Sequence, residues 1–420
     1  PYLLKPPLVN WAIAASGLVA GGFTAFVARL PSALAVLATA LLLVAWGRRR
    51  GAPRAGQVAG ILYLLLPLVF EKGIRAEIES ILTFCVALGL LALYEATRGS
   101  RGAPRPPRAA WWTQLAAFGI ALGVLAKGPP ALLVAAATAL PWLAWRGWRV
   151  LSPLGILGGI VVFVAVLSAW VIPLVSAVGW DSLKTTIDVE VLQRAQAADP
   201  GNREPFGYYL PKLIGGALPA FLLLPGLRSR EVSRRHAPAL LYLALWVVVP
   251  LVLFSFFSGK ESRYLLPLYP ALALLAGFGA EGLLAMRPHL APRLRRLGFG
   301  LLLFAVIVKI VWIAAVVPHK NERKSPRLLA QVVSLRVPEA RTITFVGKPR
   351  AQLLYYLDRP MRHVDDVEVL LGATPLPSTV LVPVETTPTA DLERLRQALP
   401  GATAEDLAWG EHPYLLLTSR

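Results

Sequence analysis

Cysteine is almost absent from this chain: Cys85, inside the apolar run ILTFCVALGL, is the single one. That excludes an intrachain disulfide and any multi-cysteine metal site, and a thiol in such a run reads as a small buried hydrophobe. Histidine is nearly as scarce. The five residues His236, His289, His319, His363 and His412 are scattered along distant segments and give no metal-ligand constellation. Charge is short as well, with 16% of residues Asp, Glu, Lys or Arg, against roughly 25% in soluble domains. Acidic residues are the rarer sign, 24 against 43 basic. No internal repeat, low-complexity tract or signal peptide is visible.

What remains is apolar. Hydrophobic residues make up 56% of the 420, mean hydropathy is +0.58, and soluble domains hold only about 45–50% apolar residues, so an α-helical polytopic membrane protein is expected. A net charge of +19 would suit a nucleic-acid partner, but the basic residues sit in short loops between apolar segments. That is the positive-inside pattern, whereas a nucleic-acid binder carries its basic face on a soluble domain interleaved with aromatics. No nucleic-acid partner is expected.

About ten segments reach the ~17–25 apolar residues of a spanning helix. They lie near 30–47, 55–71, 76–96, 109–125, 128–146, 151–176, 208–227, 237–257, 263–285 and 296–317. The arginine-rich loops GRRRGAPR (47–54), TRGSRGAPRPPR (97–108), WRGWR (145–149), RSREVSRRH (228–236) and MRPHLAPRLRR (286–296) fall on the cytoplasmic face. FEKGIRAE (70–77), AKGPP (126–130), the 177–207 loop and SGKESR (258–263) fall on the other. This alternation holds if residues 7–22, PLVNWAIAASGLVAGG, form an interfacial helix at the outer surface instead of crossing. A chain that starts outside, at Pro1 without an initiator Met, is then expected to follow one upstream span and the first half of an outer loop.

The expected organisation is an outer-face juxtamembrane segment over 1–29, a membrane domain over 30–317 and a small extracytoplasmic α/β domain over 318–420. In the last, TITFVG (342–347), STVLVPV (378–384) and PYLLLT (413–418) read as strands. SPRLLAQVVSL, AQLLYYL and TADLERLRQAL read as helices.

The outer loops carry mixed charge beside helix ends: Lys5, Glu71, Lys72, Arg75, Glu77, Glu79, Lys127, Lys184, Asp188, Glu190, Arg194, Arg203, Glu204, Lys260, Glu261 and Arg263. An unpaired charge within an apolar run costs about 2.5–3.5 kcal/mol at a helix centre. A shared polar cavity that opens outward accounts for the set, its cations holding an anion such as phosphate and its carboxylates balancing them. Each residue also has a plainer reading. Lys5 could snorkel to headgroups. Arg75 and Glu79 could be an intrahelical pair. Lys127 in LAKGPP could mark a helix end. Lys260 and Arg263 around Glu261 could form a solvated turn, and Tyr208 and Tyr209, with Trp111 and Trp112, could belong to interfacial aromatic belts.

Seven stretches, taken in order, resemble a known family. They are YLLKPPLVNW (2–11), ARLPSALAVLATALLLVAWGRR (28–49), RAEIESILTFCVALGLLALYEA (75–96), LGVLAKGPPALLV (122–134), EVLQRA (190–195), REPFGYYLPKLIGGALPAFLLLPG (203–226) and SGKESRYLLPLYPALALLAG (258–277). The resemblance is to bacterial GT-C membrane glycosyltransferases, in the branch of the lipid A 4-amino-4-deoxy-L-arabinose transferases and protein O-mannosyltransferases. It implies a polyprenyl-phosphate sugar donor, an inverting transfer to a lipid, glycan or protein acceptor, and a site on the outer face of the bacterial plasma membrane. No cofactor or metal is implied, the partners are donor, acceptor and membrane lipids, and a monomer is expected.

The resemblance places Lys5, the KPP lysine, and Arg194, the QR arginine, at the donor phosphate. Lys127, Lys260, Arg263 and Arg75 are expected beside them, and Tyr208, Tyr209, Arg203 and Tyr264 along the cavity or acceptor. The family's general base is expected upstream of Pro1, with Glu79, Glu77 and Glu190 as fallbacks, so residues 1–420 alone are expected to bind carrier without transferring sugar. Leu4, Val191 and Arg263 stand where the arabinose-transferase pattern has an acidic residue and two histidines, which argues against its zinc-type site. The rival readings are a non-catalytic relative that binds carrier lipid and a lipid or solute transporter. A transporter would have polar residues on both faces and paired interrupted helices in two repeated halves.

Overall fold

Proline and glycine decide where the long apolar runs become helices and where they stop. The computed structural model describes residues 5–98, 108–181, 184, 204–257, 259–318, 326–339, 341–347, 351–359, 361–373, 375–399, 401–409 and 412–419. They fall into two compact units, Pro1–Leu302 and Leu303–Arg420.

The first unit is helical. Helix α1 (Leu8–Ala20) ends where Gly21 turns left-handed at φ 71° and Gly22 N–H donates back to Gly17 O at 2.9 Å, a glycine stop. Its 13 residues span roughly 20 Å, short of the ~30 Å hydrocarbon core, so it does not cross a membrane. Next come α2 (Ala25–Arg49), capped by the Thr24 hydroxyl, α3 (Pro53–Leu65), α4 (Pro67–Gly73) and α5 (Ile78–Thr97). Then follow α6 (Ala109–Lys127), α7 (Pro129–Arg146) and α8 (Pro153–Val178). Beyond them lie Tyr209–Gly216, Leu218–Phe221, Arg230–Ser255, Tyr269–Met286 and Ala291–Val311.

Among the described residues, seven helices are long and apolar enough to span, and two sharply bent pairs raise the number to nine. The protein is a multi-pass membrane protein. The count falls below the ten crossings expected from sequence in part because α7, which opens on two prolines, contains Pro141 and ends in Arg146, is too low in hydropathy to be counted. The stretches near 55–71 and 208–227 are not straight spans either. Leu66 is extended before Pro67, and α3 and α4 meet at a 63° bend. Ala217 leaves helical geometry between Gly216 and Pro219, and the second pair bends by 84°.

The core gathers on Tyr269–Met286, α5, α3 and α2, with Trp142, Trp246, Tyr63 and Phe278 fully buried. Backbones approach closely at glycines, because lipid-embedded helices associate by packing and not by escape from water. A Cβ on Gly279 would stand 2.1 Å from Leu223 O, and one on Gly47 2.4 Å from Gly56 Cα. In α8, by contrast, Gly155 and Gly159 are the buried residues of an otherwise apolar helix, as suits a lipid-facing span.

The second unit holds a mixed five-stranded sheet, β1 (Ile343–Val346), β2 (Met361–Val364), β3 (Thr379–Pro383), β4 (Thr403–Trp409) and β5 (His412–Thr418), in the order β2-β1-β3-β5-β4. β1 runs parallel to β2 and β3, while β5 is antiparallel to β3 and β4. Strand alternation feeds two cores. Phe345, Leu381, Tyr414 and Leu416 meet the helices Arg327–Arg336 and Ala351–Leu357 on one face. Val346, Val380, Val382, Leu415 and Leu417 meet Val367–Leu371 and Thr389–Ala398 on the other.

Candidate functional site

Three chain segments bring charges together beside α5. Glu79 lies in the first turn of α5 and is buried at 4% exposure. Lys127 ends α6, where Gly128 adopts φ 83° and ψ −137°, a backbone open mainly to glycine, and the two prolines that follow start α7. The KGPP sequence thus makes a tight turn that fixes the lysine. Lys127 Nζ donates to Glu79 Oε1 at 2.8 Å and sits 4.7 Å above the Tyr264 ring. Arg263, on the short helix Ser262–Leu268, reaches the same Glu79 oxygen at 3.6 Å and pairs with Glu261 at 2.5 Å. Tyr264 Oη closes the group, 3.5 Å from Glu261.

The KPP segment passes this turn: a Cβ on Gly128 would lie 4.0 Å from Pro6 Cγ. Lys5 itself is half-buried. Immediately after it, Leu8, Ala12 and Ser16 of α1 join Leu34, Ile81, Phe84 and Leu122 along an open apolar cleft of about 340 Å³. A polar cluster therefore adjoins an apolar groove between α1, α2, α5 and α6.

Of the residues expected at the site, Glu79, Lys127, Arg263 and Tyr264 form this one cluster. Arg75 does not join it. It pairs with Glu71 at 3.2 Å and Glu77 at 3.4 Å, beside Lys72, which holds Glu77 at 3.1 Å. The Arg75–Glu79 intrahelical pair is absent because α5 begins at Ile78, after Arg75. Lys260 is buried at 5% exposure and donates to the Glu204 carbonyl at 2.8 Å, so it is no solvated turn residue. Tyr209 is 1% exposed and packs against Tyr208 and Phe254, which removes it from an aromatic belt. Arg194, Arg203 and Glu190 lie outside the described residues. The sequence reading placed Glu261 and Lys72 within the mixed-charge set of the outer loops, but their specific partners, Arg263 for Glu261 and Glu77 for Lys72, emerge only from the fold.

Known proteins resemble the chain in sequence and in fold. A family described as dolichyl-phosphate-mannose-protein mannosyltransferase matches residues 4–172, and the Alg9-like mannosyltransferase family matches residues 203–351. The chain is 33% identical over 312 residues to the undecaprenyl phosphate-alpha-4-amino-4-deoxy-L-arabinose arabinosyl transferase of Pseudomonas paraeruginosa, covering 73% of this chain and 55% of that protein. The enzyme of that name from Enterobacter sp. (strain 638) is 32% identical over 262 residues, 60% of this chain and 45% of that one. The chain thus spans about half the length of the curated relatives it matches. In fold it resembles the crystal structure of ArnT from Cupriavidus metallidurans bound to undecaprenyl phosphate, with a TM-score of 0.73 and 18% identity, over 99% of this chain and 88% of that one. With these motifs and this fold, the chain belongs to the GT-C membrane glycosyltransferases, in the family that joins the protein mannosyltransferases and ArnT.

Proposed function

We propose that the protein is a polyprenyl-phosphate-sugar-dependent glycosyltransferase of the bacterial inner membrane, acting on its outer face. The observation that carries this reading is the KPP segment, packed against the Lys127 turn at the mouth of an apolar cleft. A carrier lipid has that same division, a charged phosphate joined to a long apolar chain. Lys5 meets the phosphate, Lys127 and Arg263 complete the cationic face, and the cleft takes the first isoprene units. Arg194 belongs to the same set by its QR motif.

Charge bookkeeping refines the roles. Lys127 and Arg263 are already matched by Glu79 and Glu261. Lys5 approaches the same turn through its neighbour Pro6 and adds a further cation toward the phosphate, and Arg263, at 40% exposure, can turn from Glu261 toward the ligand. In the reaction the acceptor oxygen attacks the anomeric carbon and the carbon–oxygen bond to phosphate breaks. The acceptor proton passes to a base, and the carrier leaves as its phosphate. Cations aimed at that phosphate stabilise the charge it gains. Glu79 and Glu77 are both ion-paired, which weakens them as bases and suits them to holding cations.

The acceptor is a lipid, glycan or protein hydroxyl or phosphate, and the likeness to the undecaprenyl phosphate-alpha-4-amino-4-deoxy-L-arabinose arabinosyl transferases favours an aminoarabinose donor. Transfer is tested with the protein expressed from its whole gene and reconstituted in proteoliposomes supplied with undecaprenyl-phosphate-linked sugars, with product and released carrier followed by mass spectrometry. Arg263→Gln is expected to lower kcat by about 10²–10³-fold, the range for losing one preorganised donor to a developing charge. Full activity in that variant would remove Arg263 from the mechanism.

A further inference from the structure

At the opposite end of α5 from Glu79 lies a second buried carboxylate that the proposed chemistry does not use. Glu95, two residues before the helix ends, has a side chain 1% exposed, and three arginines converge on it. Arg49 Nε donates to Oε2 at 3.1 Å, Arg50 Nε lies 3.1 Å from Oε1, and Arg98 Nε lies 3.3 Å from Oε2. The arginines leave the C-terminal ends of α2 and α5. The start of α6 adds Trp112, whose ring lies 4.6 Å beneath the Arg49 guanidinium.

This cluster is unbalanced. One carboxylate offers about four lone-pair positions, while three guanidinium groups bring about five N–H donors each. Three positive charges meet one negative, and the Arg49 and Arg98 side chains remain 45% and 31% exposed. The surroundings set its depth. Trp111 and Trp145, about half exposed, lie at the start of α6 and the end of α7, at this same end of the bundle, where indoles mark the membrane–water boundary. Gly155 packs α8 against Ala110 at the start of α6, and Leu154 and Leu157 beside it are exposed. A cationic cluster at headgroup depth, next to bare apolar helix, fits a phosphate that carries acyl chains.

We propose that Arg49, Arg50 and Arg98, held in place by Glu95, form a binding site for the phosphate of an anionic phospholipid. The guanidinium forks grip the phosphodiester oxygens, and the acyl chains run down the apolar faces of α6 and α8. Glu95 positions the arginines and leaves their surplus charge to the lipid. The site is independent of the carrier-phosphate cluster and stands whether or not the protein transfers sugar.

Native mass spectrometry of the protein in neutral detergent tests this, with phosphatidylglycerol, phosphatidylcholine and inorganic phosphate added in separate arms. Phosphatidylglycerol adducts are expected to outlast phosphatidylcholine adducts. Arg98→Gln leaves two arginines on Glu95, and it is expected to reduce phosphatidylglycerol retention about fivefold, the weight of one arginine near a charged bilayer. Glu95→Gln raises the local charge and is expected to increase retention in the monodisperse fraction, an outcome a purely structural ion pair would not give. Equal retention of both lipids, no change in Arg98→Gln, or displacement by millimolar phosphate would overturn the proposal, the last by revealing a free-anion site.

Discussion

Glu79 holds two cations on one oxygen, Lys127 at 2.8 Å and Arg263 at 3.6 Å, in a site 4% exposed. Removing one partner of a buried pair leaves the other uncompensated and costs about 3–5 kcal/mol. Glu79→Ala is accordingly expected to lower stability by that amount in denaturant unfolding of the solubilised protein. Lys127→Ala added to it should cost less than it does alone, with a coupling of about 1–3 kcal/mol in the double-mutant cycle. Strict additivity would show that the two do not act as a pair. The sequence marked Glu79 and Lys127 separately, but their contact spans 48 positions and depends on α5 packing against α6. The Arg75–Glu79 spacing of four suggested a nearer partner and misled, because that rule applies only where both residues lie on one helix.

At the scale of elements, glycine contacts decide how closely the helices approach. Gly279→Ala would drive a Cβ against the Leu223 carbonyl, and a loss of about 1–3 kcal/mol is expected from such overpacking. Gly215→Ala, with nothing within 4 Å of the added carbon, is expected to stay near wild type or gain slightly from helix propensity. Thermal unfolding in detergent of the two variants distinguishes a packing effect from a general intolerance of side chains. Helix positions were largely legible from the apolar runs, yet both bends were missed, since hydropathy continues unbroken through Leu66 and Ala217 while the backbone does not. In the sheet, the three strands read from sequence are the interior ones, β1, β3 and β5. The two missed strands, β2 with Arg362 and His363 and β4 with Glu405 and Asp406, are its edges, where polar residues interrupt the apolar signal and protect against edge pairing. The two bent pairs match part of what a transporter would show, but the family relationship and the gathering of Glu79, Lys127 and Arg263 at one end of α5 and α6 favour the transferase reading.

For the whole molecule, two compact units imply two separable cores. Phe345→Ala is expected to cost the second unit about 3–5 kcal/mol, the range for emptying a buried aromatic position. Hydrogen exchange should then accelerate in β1 and β3, while α5 and the helix Tyr269–Met286 keep their protection. Class and family were readable from composition and motif order, whereas the charge balance of the site was not, because it depends on which carboxylate each cation meets. The central claim is that the KPP lysine and its neighbours hold a carrier phosphate. It is tested most directly by the affinity of the reconstituted protein for undecaprenyl phosphate and for undecaprenol, in the wild type and in Lys5→Ala. A charge-assisted contact is worth about 1.5–3 kcal/mol, so the wild type is expected to prefer the phosphate by about 10- to 100-fold and Lys5→Ala to lose most of that preference. Equal binding of the two lipids, or a preference unchanged in Lys5→Ala, would contradict it.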